Sequence, residues 1–122
     1  MAIQAVTTLG PDLYQRDAGV ITATWATMAN GDTGAPVQFD PFADRSFQVT
    51  GTFGAGGSAT LEGSNDGTNY FALRNPQGTT IAITTAGLIQ VLELTLWVRP
   101  HVTAGDGTTA LVCVMMAGRT IR

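Results

Sequence analysis

Few side chains in this 122-residue sequence are of types that carry chemistry, and their spacing limits what each can do. Cys113 is the only cysteine and His101 the only histidine, so no intrachain disulfide and no cysteine metal cluster can form. Cys113 lies in the apolar run LVCVMM, the setting of a buried thiol, whereas a reactive thiolate needs an electropositive, partly exposed site. His101 stands between Pro100 and Val102, and a metal site would need at least two further ligands that no spacing nominates. Asp66 and Asp106 each open an Asp-Gly turn, where a carboxylate accepts backbone N–H bonds. The regular oxygen spacing of a twelve-residue calcium loop is missing. Glu62 and Glu93 would serve glycoside hydrolysis only if held roughly 5–10 Å apart in a cleft, and nothing in the sequence brings them together. Gly51, Gly54, Gly56 and Gly57 lead into a strand and lack the helix and lysine of a phosphate loop. Trp25 and Trp97 suit core packing, an interface or sugar stacking. No catalytic residue, metal ligand or cofactor site is nominated, and the sequence is read as that of a protein that is not an enzyme.

The elements that position these groups read as short strands. SATLEGSNDGTNYFAL, from Ser58 to Leu73, has two alternating flanks around an Asn-Asp-Gly turn, a hairpin signature. Val20–Met28 alternates, with Ile21, Ala23 and Trp25 on one face and Val20, Thr22 and Thr24 on the other. From Arg45 to Phe53, Phe47, Val49 and Gly51 face one way and Ser46, Gln48 and Thr50 the other. Asn75-Pro76-Gln77-Gly78 is a second compact turn, with Thr79–Thr84 expected as a short strand after it. Thr85–Glu93 is ambiguous: Leu88, Val91 and Leu92 would share a helical face, but Gly87 and the short length weaken a helix. Thr95–Thr103 reads as a strand in which Pro100 belongs at an edge or a bulge. Ala104-Gly105-Asp106-Gly107 is expected to close a hairpin onto Thr108–Ala117, the most apolar strand and the expected centre of the core. Turns recur every eight to twelve residues, the spacing of a sandwich or barrel. The prediction is an all-β, single-domain antiparallel sandwich, jelly-roll-like, over residues 19–122, preceded by an irregular N-terminal arm over residues 1–18.

Composition narrows the partners. There is no lysine, and six arginines against nine acidic residues give a formal charge of −3. Phosphate neutralisation needs clustered basic side chains, so nucleic acid is not an expected partner. Charged residues make up only 12% of the chain, about half the ordinary share of roughly 25%. Such a surface suits a protein covered by neighbours in an assembly. The first ten residues lack a basic region followed by a long apolar core, and the longest apolar run, Ala110–Ala117, is too short for a helix to span a bilayer. A soluble protein made in the cytoplasm, with no membrane partner, is expected.

From about Arg45 onward the sequence resembles the small β-sandwich virion proteins of tailed bacteriophages. The resemblance is carried by SATLEGSNDGTNYFAL, by the Asn75-Pro76-Gln77-Gly78 turn and by WVRPHVTAGDGTTALVCVMMAGR from Trp97 to Arg119, about two-thirds of the chain. The pattern is shared by capsid decoration (cement) proteins and by tail or head-fibre components, and the small size and lack of an enzyme motif favour the decoration proteins. The resemblance implies a homo-oligomer, dimer or trimer, made in the host bacterial cytoplasm. It would sit on the capsid exterior of the virion, bind the major capsid protein and brace neighbouring shell subunits. A tail or head-fibre component, with a carbohydrate-binding role, is the alternative. Expected contact residues are Leu9, Leu13 and Tyr14 in the arm, Phe39 and Phe42 in the long connection, and Arg99 and Arg119 as partners for acidic groups on a shell protein.

Overall fold

The computed structural model describes residues 2–9, 19–39 and 42–118. Eleven strands are present there: β1 (Ile3–Gln4), β2 (Thr7–Leu9), β3 (Val20–Met28), β4 (Thr33–Gly34), β5 (Val37–Gln38), β6 (Asp44–Thr52), β7 (Ser58–Ser64), β8 (Phe71–Ala72), β9 (Gly87–Val91), β10 (Trp97–Ala104) and β11 (Ala110–Gly118). They form two sheets packed face to face, an all-β sandwich. The six-stranded sheet runs β1-β4-β10-β7-β8 with β5 also on β10, and the five-stranded sheet runs β2-β3-β11-β6-β9. Every pairing is antiparallel except β1 with β4, so the order is mixed and departs from a regular jelly roll.

The alternation in the sequence decides which side chains face inward. Ala23 and Trp25 of β3, Phe47 and Val49 of β6, and Leu111, Cys113, Met115 and Ala117 of β11 are buried, as are Ala59, Leu61, Val98 and Val102 of the opposite sheet. Strand β11 lies at the middle of its sheet, between β3 and β6, in agreement with its apolar sequence. Segment 85–93 resolves as a strand, since β9 pairs in continuous register with β6 from Arg45↔Val91 to Val49↔Gly87.

Five expectations are corrected. First, the opening residues are not an irregular arm throughout: β1 pairs with β4 and β2 with β3, so residues 2–9 contribute one edge strand to each sheet. Residues 10–18, and with them Leu13 and Tyr14, lie outside the described residues, as does Arg119. Second, Thr79–Thr84 does not form a strand. Thr80 bridges Arg74 and Ile83 bridges Ala59, so the segment changes partner within three residues and never builds a ladder. Third, β10 and β11 are not a hairpin. Both neighbours of β11 belong to the other sheet, and residues 105–109 carry the chain across the sandwich. There Thr109 is buried and donates its hydroxyl to the Phe53 carbonyl at 2.8 Å.

The fourth correction concerns Pro100, which sits in the interior strand β10, opposite Leu61 of β7. On its other side β10 pairs with β5 at Trp97 and Val98 and with β4 at His101. Arg99 and Pro100 fall in the gap between these two short strands, where a missing N–H breaks no ladder bond. Close packing completes the arrangement: a Cβ on Gly34 would lie 2.6 Å from Pro100 Cδ and from the Trp25 indole, so only a bare backbone passes there. Fifth, Phe39 and Phe42 are 1% and 8% exposed and belong to the core, so they are not presented to another subunit.

Gly34→Ala should therefore destabilise the fold by about 1–3 kcal/mol, the cost of overpacking a filled interior. A shift of the urea midpoint followed by Trp25 fluorescence checks it; an unshifted midpoint would show that the close approach carries no weight.

Candidate functional site

Two sites are built from the sequence-nominated residues, one on each outer sheet face. On the six-stranded sheet, the register of β7 against β10 places Arg99 opposite Glu62 and His101 opposite Thr60. Because side chains alternate along a strand, Glu62, Arg99 and His101 share the outer face. Arg99 Nε donates to Glu62 Oε1 at 2.9 Å, and His101 Nδ1 lies 2.9 Å from Oε2, the separation at which an Nδ1–H donates to the carboxylate. The Arg99 guanidinium also covers the Tyr70 ring, 4.0 Å from its centroid. Burial raises the Tyr70 hydroxyl pKa, against the opposing pull of Arg99. The hydroxyls of Tyr70 and Thr60 are buried without a hydrogen-bond partner.

Chemically this is a clamp. Both oxygens of Glu62 are engaged, so the carboxylate orients Arg99 and His101. Glu93, the other glutamate, has a different partner. It accepts the Arg74 backbone N–H at 2.5 Å and faces Arg74 Nε at 3.8 Å. Among the described residues, no group of three or more His, Cys, Asp or Glu is arranged to hold a metal ion. Cys113 is buried, and that burial pushes its thiol up to about 12.

The turn aspartates organise their own loops. Asp66 accepts the N–H groups of Asn69 and Thr68, both at 2.8 Å, as well as the Asn69 amide and the Ser64 hydroxyl. These bonds hold its carboxyl far below the usual range. They shape the six-residue loop between β7 and β8, where Gly67 takes φ +77° and lies against the Trp97 indole. Asp106 accepts from the Thr108 hydroxyl and the N–H groups of Ala55 and Thr108, which lower it from 3.8 to about 2.

The second site is the outer face of the five-stranded sheet. Its inward residues are buried, and the alternate positions form transverse rows: Thr7, Thr24, Val114, Gln48 and Leu88, then Thr22, Met116, Ser46 and Gln90. Leu9, a nominated contact, is placed in β2 opposite Thr22. No residue of these rows is ionisable. Asp44, at the end of β6 opposite Gly118, is the one ionisable residue at an outward register position among the described strands of this sheet. At about 4.8 Å between strands and 3.3 Å per residue, five strands of three to nine residues cover roughly 550 Å².

Of the nominated contacts, Arg99 is thus committed to Glu62 and Tyr70, while Phe39 and Phe42 line a hollow of about 340 Å³ with Arg45, Leu94 and Leu96. The charge-free rows were not assembled from sequence. Their uncharged alternation was visible strand by strand, but the order β3-β11-β6 that makes them one face was not. No family model and no curated protein matches this chain.

The Asp66 and Asp106 bonds give the fold an acid-sensitive component. Both groups have folded pKa values below the unfolded 3.8, so the unfolded state binds more protons as pH falls and stability drops with it. The contribution is complete above about pH 5 and is lost from about pH 4 downward through the folded values. Asp106→Asn should flatten part of that decline while leaving the slope above pH 5 unchanged, as read from urea midpoints between pH 2 and 7; an unaltered acid decline would refute the assignment to Asp106.

Proposed function

We propose that this chain is a structural protein of a bacteriophage virion, a cement protein that binds the outer surface of the head and braces contacts between major capsid protein subunits. The observation that carries the reading is the outer face of the five-stranded sheet, whose transverse rows carry no charge and whose one outward ionisable residue, Asp44, lies at the end of β6. A face of roughly 550 Å² is about two-thirds of the roughly 800 Å² that each partner contributes to a standard interface. It is covered without stripping water from ions, the main cost of burying charged surface. The sequence resemblance points to the same place, and a rigid two-sheet body with strands of up to nine residues resists shear between the subunits it bridges.

The clamp on the other face fits a solvent-facing role. Glu62, Arg99 and His101 neutralise and fix one another there. Trp97 is half-buried beside the β7–β8 loop, which supports the second reading, a tail or head-fibre component that stacks a sugar. Trp25 takes no part in that reading, being fully buried with its indole N–H donating to the Ala35 carbonyl at 2.9 Å.

Cryo-electron microscopy of purified virions separates these readings. Sandwich-shaped density repeating over the head lattice is expected, with the five-stranded sheet turned toward the shell. Density confined to the tail or a fibre would overturn the cement role in favour of the second reading. In the same system Val114→Lys, which places a charge in the middle of the face, should abolish co-sedimentation with heads lacking the protein while leaving its urea midpoint within about 0.5 kcal/mol of the parent.

A further inference from the structure

Phe71, on the short edge strand β8, is the most exposed large apolar side chain of the described residues, at 72%. With Leu73 it lines a hollow of about 330 Å³ whose polar wall is Asn65, Asp66 and Asn69 of the β7–β8 loop, with Thr95 between them and β10. Gly63 of β7, opposite Phe71 in register, lines it too. A Cβ there would collide with Thr95 Oγ1 and lie 2.9 Å from Leu73 Cδ2. A side chain at Gly63 would therefore displace two of the groups that shape the hollow, so bare backbone is a condition of its form. The volume falls within the range of small-ligand sites, roughly 300–1,000 Å³.

The polar wall is built before any ligand arrives. Asn65 Oδ1 accepts the Leu96 N–H at 3.0 Å. Asp66 Oδ1 accepts the Ser64 hydroxyl and the N–H groups of Thr68 and Asn69, each at 2.8 Å. The Asn69 side-chain amide donates to Asp66 Oδ2, also at 2.8 Å. Each of the three planar side chains is thus held by one end. The other ends supply Asn65 Nδ2 as a donor, Asn69 Oδ1 as an acceptor and the remaining lone pairs of Asp66 Oδ2. Groups already fixed in this way lose little freedom when a ligand binds.

The same groups limit the occupant. A wholly apolar ligand would strip water from Asp66 and Asn69 and return no hydrogen bond. An anion meets the Asp66 carboxylate and no basic side chain on any wall, and Asp66 is the one carboxylate there, too few for a metal cation. A neutral sugar ring answers both walls. Its C–H face is slightly positive and settles on the negative face of an aromatic ring, and its neighbouring hydroxyls each donate and accept. We propose that the hollow between Phe71 and the β7–β8 loop binds a neutral hexopyranose, stacked on Phe71 and held through two adjacent hydroxyls by Asn65, Asp66 and Asn69. Asn65 and Thr95 also line the adjoining hollow with Leu94, so the groove continues for a second linked sugar. The site is separate from Trp97, which lies against Gly67 of the same loop, and it rests on neither reading of the proposed function.

Proton–nitrogen NMR of the full chain, titrated with the methyl pyranosides of glucose, galactose and mannose, tests it. At up to about 50 mM, at least one should shift the Asn65, Asp66 and Asn69 signals with a Kd of about 1–10 mM, as befits a ligand with so few contacting atoms. Its own C–H signals should move upfield in the ring current of Phe71. Phe71→Ala should weaken binding by about fivefold or more, the worth of one aromatic stacking contact, and Phe71→Tyr should keep it. Because Phe71 is exposed, both variants should retain the parent's urea midpoint. Loop signals indifferent to all three sugars would overturn the proposal, as would binding that survives Phe71→Ala. Shifts centred on the Trp97 indole instead of the β7–β8 loop would overturn it too, moving the stacking to that ring. The chain's place in a virion is read separately from particle density, so either proposal can fail alone.

Discussion

The sandwich depends on one contact between its sheets, the indole of Trp25 against the bare backbone of Gly34 and the ring of Pro100. Trp25 comes from β3 in one sheet, whereas Gly34 and Pro100 come from β4 and β10 in the other. Sheets pack about 10 Å apart, and an indole fills that space only if the facing residue has no side chain. Its N–H, which would otherwise be buried without a partner, donates to Ala35 one residue further along. The same contact accounts for an otherwise awkward proline inside a central strand. The short strands β4 and β5 leave a gap beside β10, and the ring of Pro100 occupies it. A second tether is provided by Asp32. Burial pushes its carboxyl up, but bonds from the Ala29 N–H, the Gln4 amide and the Ala2 N–H outweigh that and lower it. The first strand is thereby held against the β3–β4 turn.

What was legible in the sequence follows from the range of the forces involved. Period-two alternation is local, so β3, β6, β7 and the apolar β11 were readable, along with their inward residues. The Asn-Asp-Gly and Asn-Pro-Gln-Gly turns were readable because each is held by its own Asp or Asn side chain; Asn75 accepts from the N–H groups of Gln77 and Thr79. Partner choice is not local. Ala104–Gly107 has the composition of a hairpin turn, yet the chain crosses between sheets there, because β11 is paired on both sides within its own sheet. Phe39 and Phe42 sit in an irregular connection, and only the placement of β5 and β6 around them turns those aromatics inward. Among the chemical groups, Glu93 contacts Arg74, whereas Glu62 contacts Arg99 and His101. The approach of Glu62 to Arg99 and His101 required the β7–β10 register, and no sequence motif encodes it.

The two outer faces divide the chain's few charges unequally. On the six-stranded sheet, Glu62, Arg99 and His101 hold one another in a fixed pattern over Tyr70. On the five-stranded sheet, strand after strand offers Thr, Ser, Gln, Val and Met at outward positions. In an acidic chain with only fifteen charged residues, keeping one broad face free of them leaves the rest concentrated in loops and on the opposite side. Hydroxyl and amide groups keep such a face wettable, and they form hydrogen bonds with a partner at far lower desolvation cost than ions.

An uncharged face also settles how strength is obtained. Without charge pairs, a single contact of this size gains little from long-range attraction, and its on-rate lacks electrostatic steering. Its affinity is correspondingly insensitive to salt, since no counterions are released or screened. On a shell, the role proposed above, strength would come from number. When one contact of a paired unit is made, the second becomes intramolecular at an effective concentration in the millimolar range, and avidity exceeds single affinity by about 10²–10⁴. That gain requires the two faces to be coplanar and rigidly joined, because a flexible link dilutes the second site.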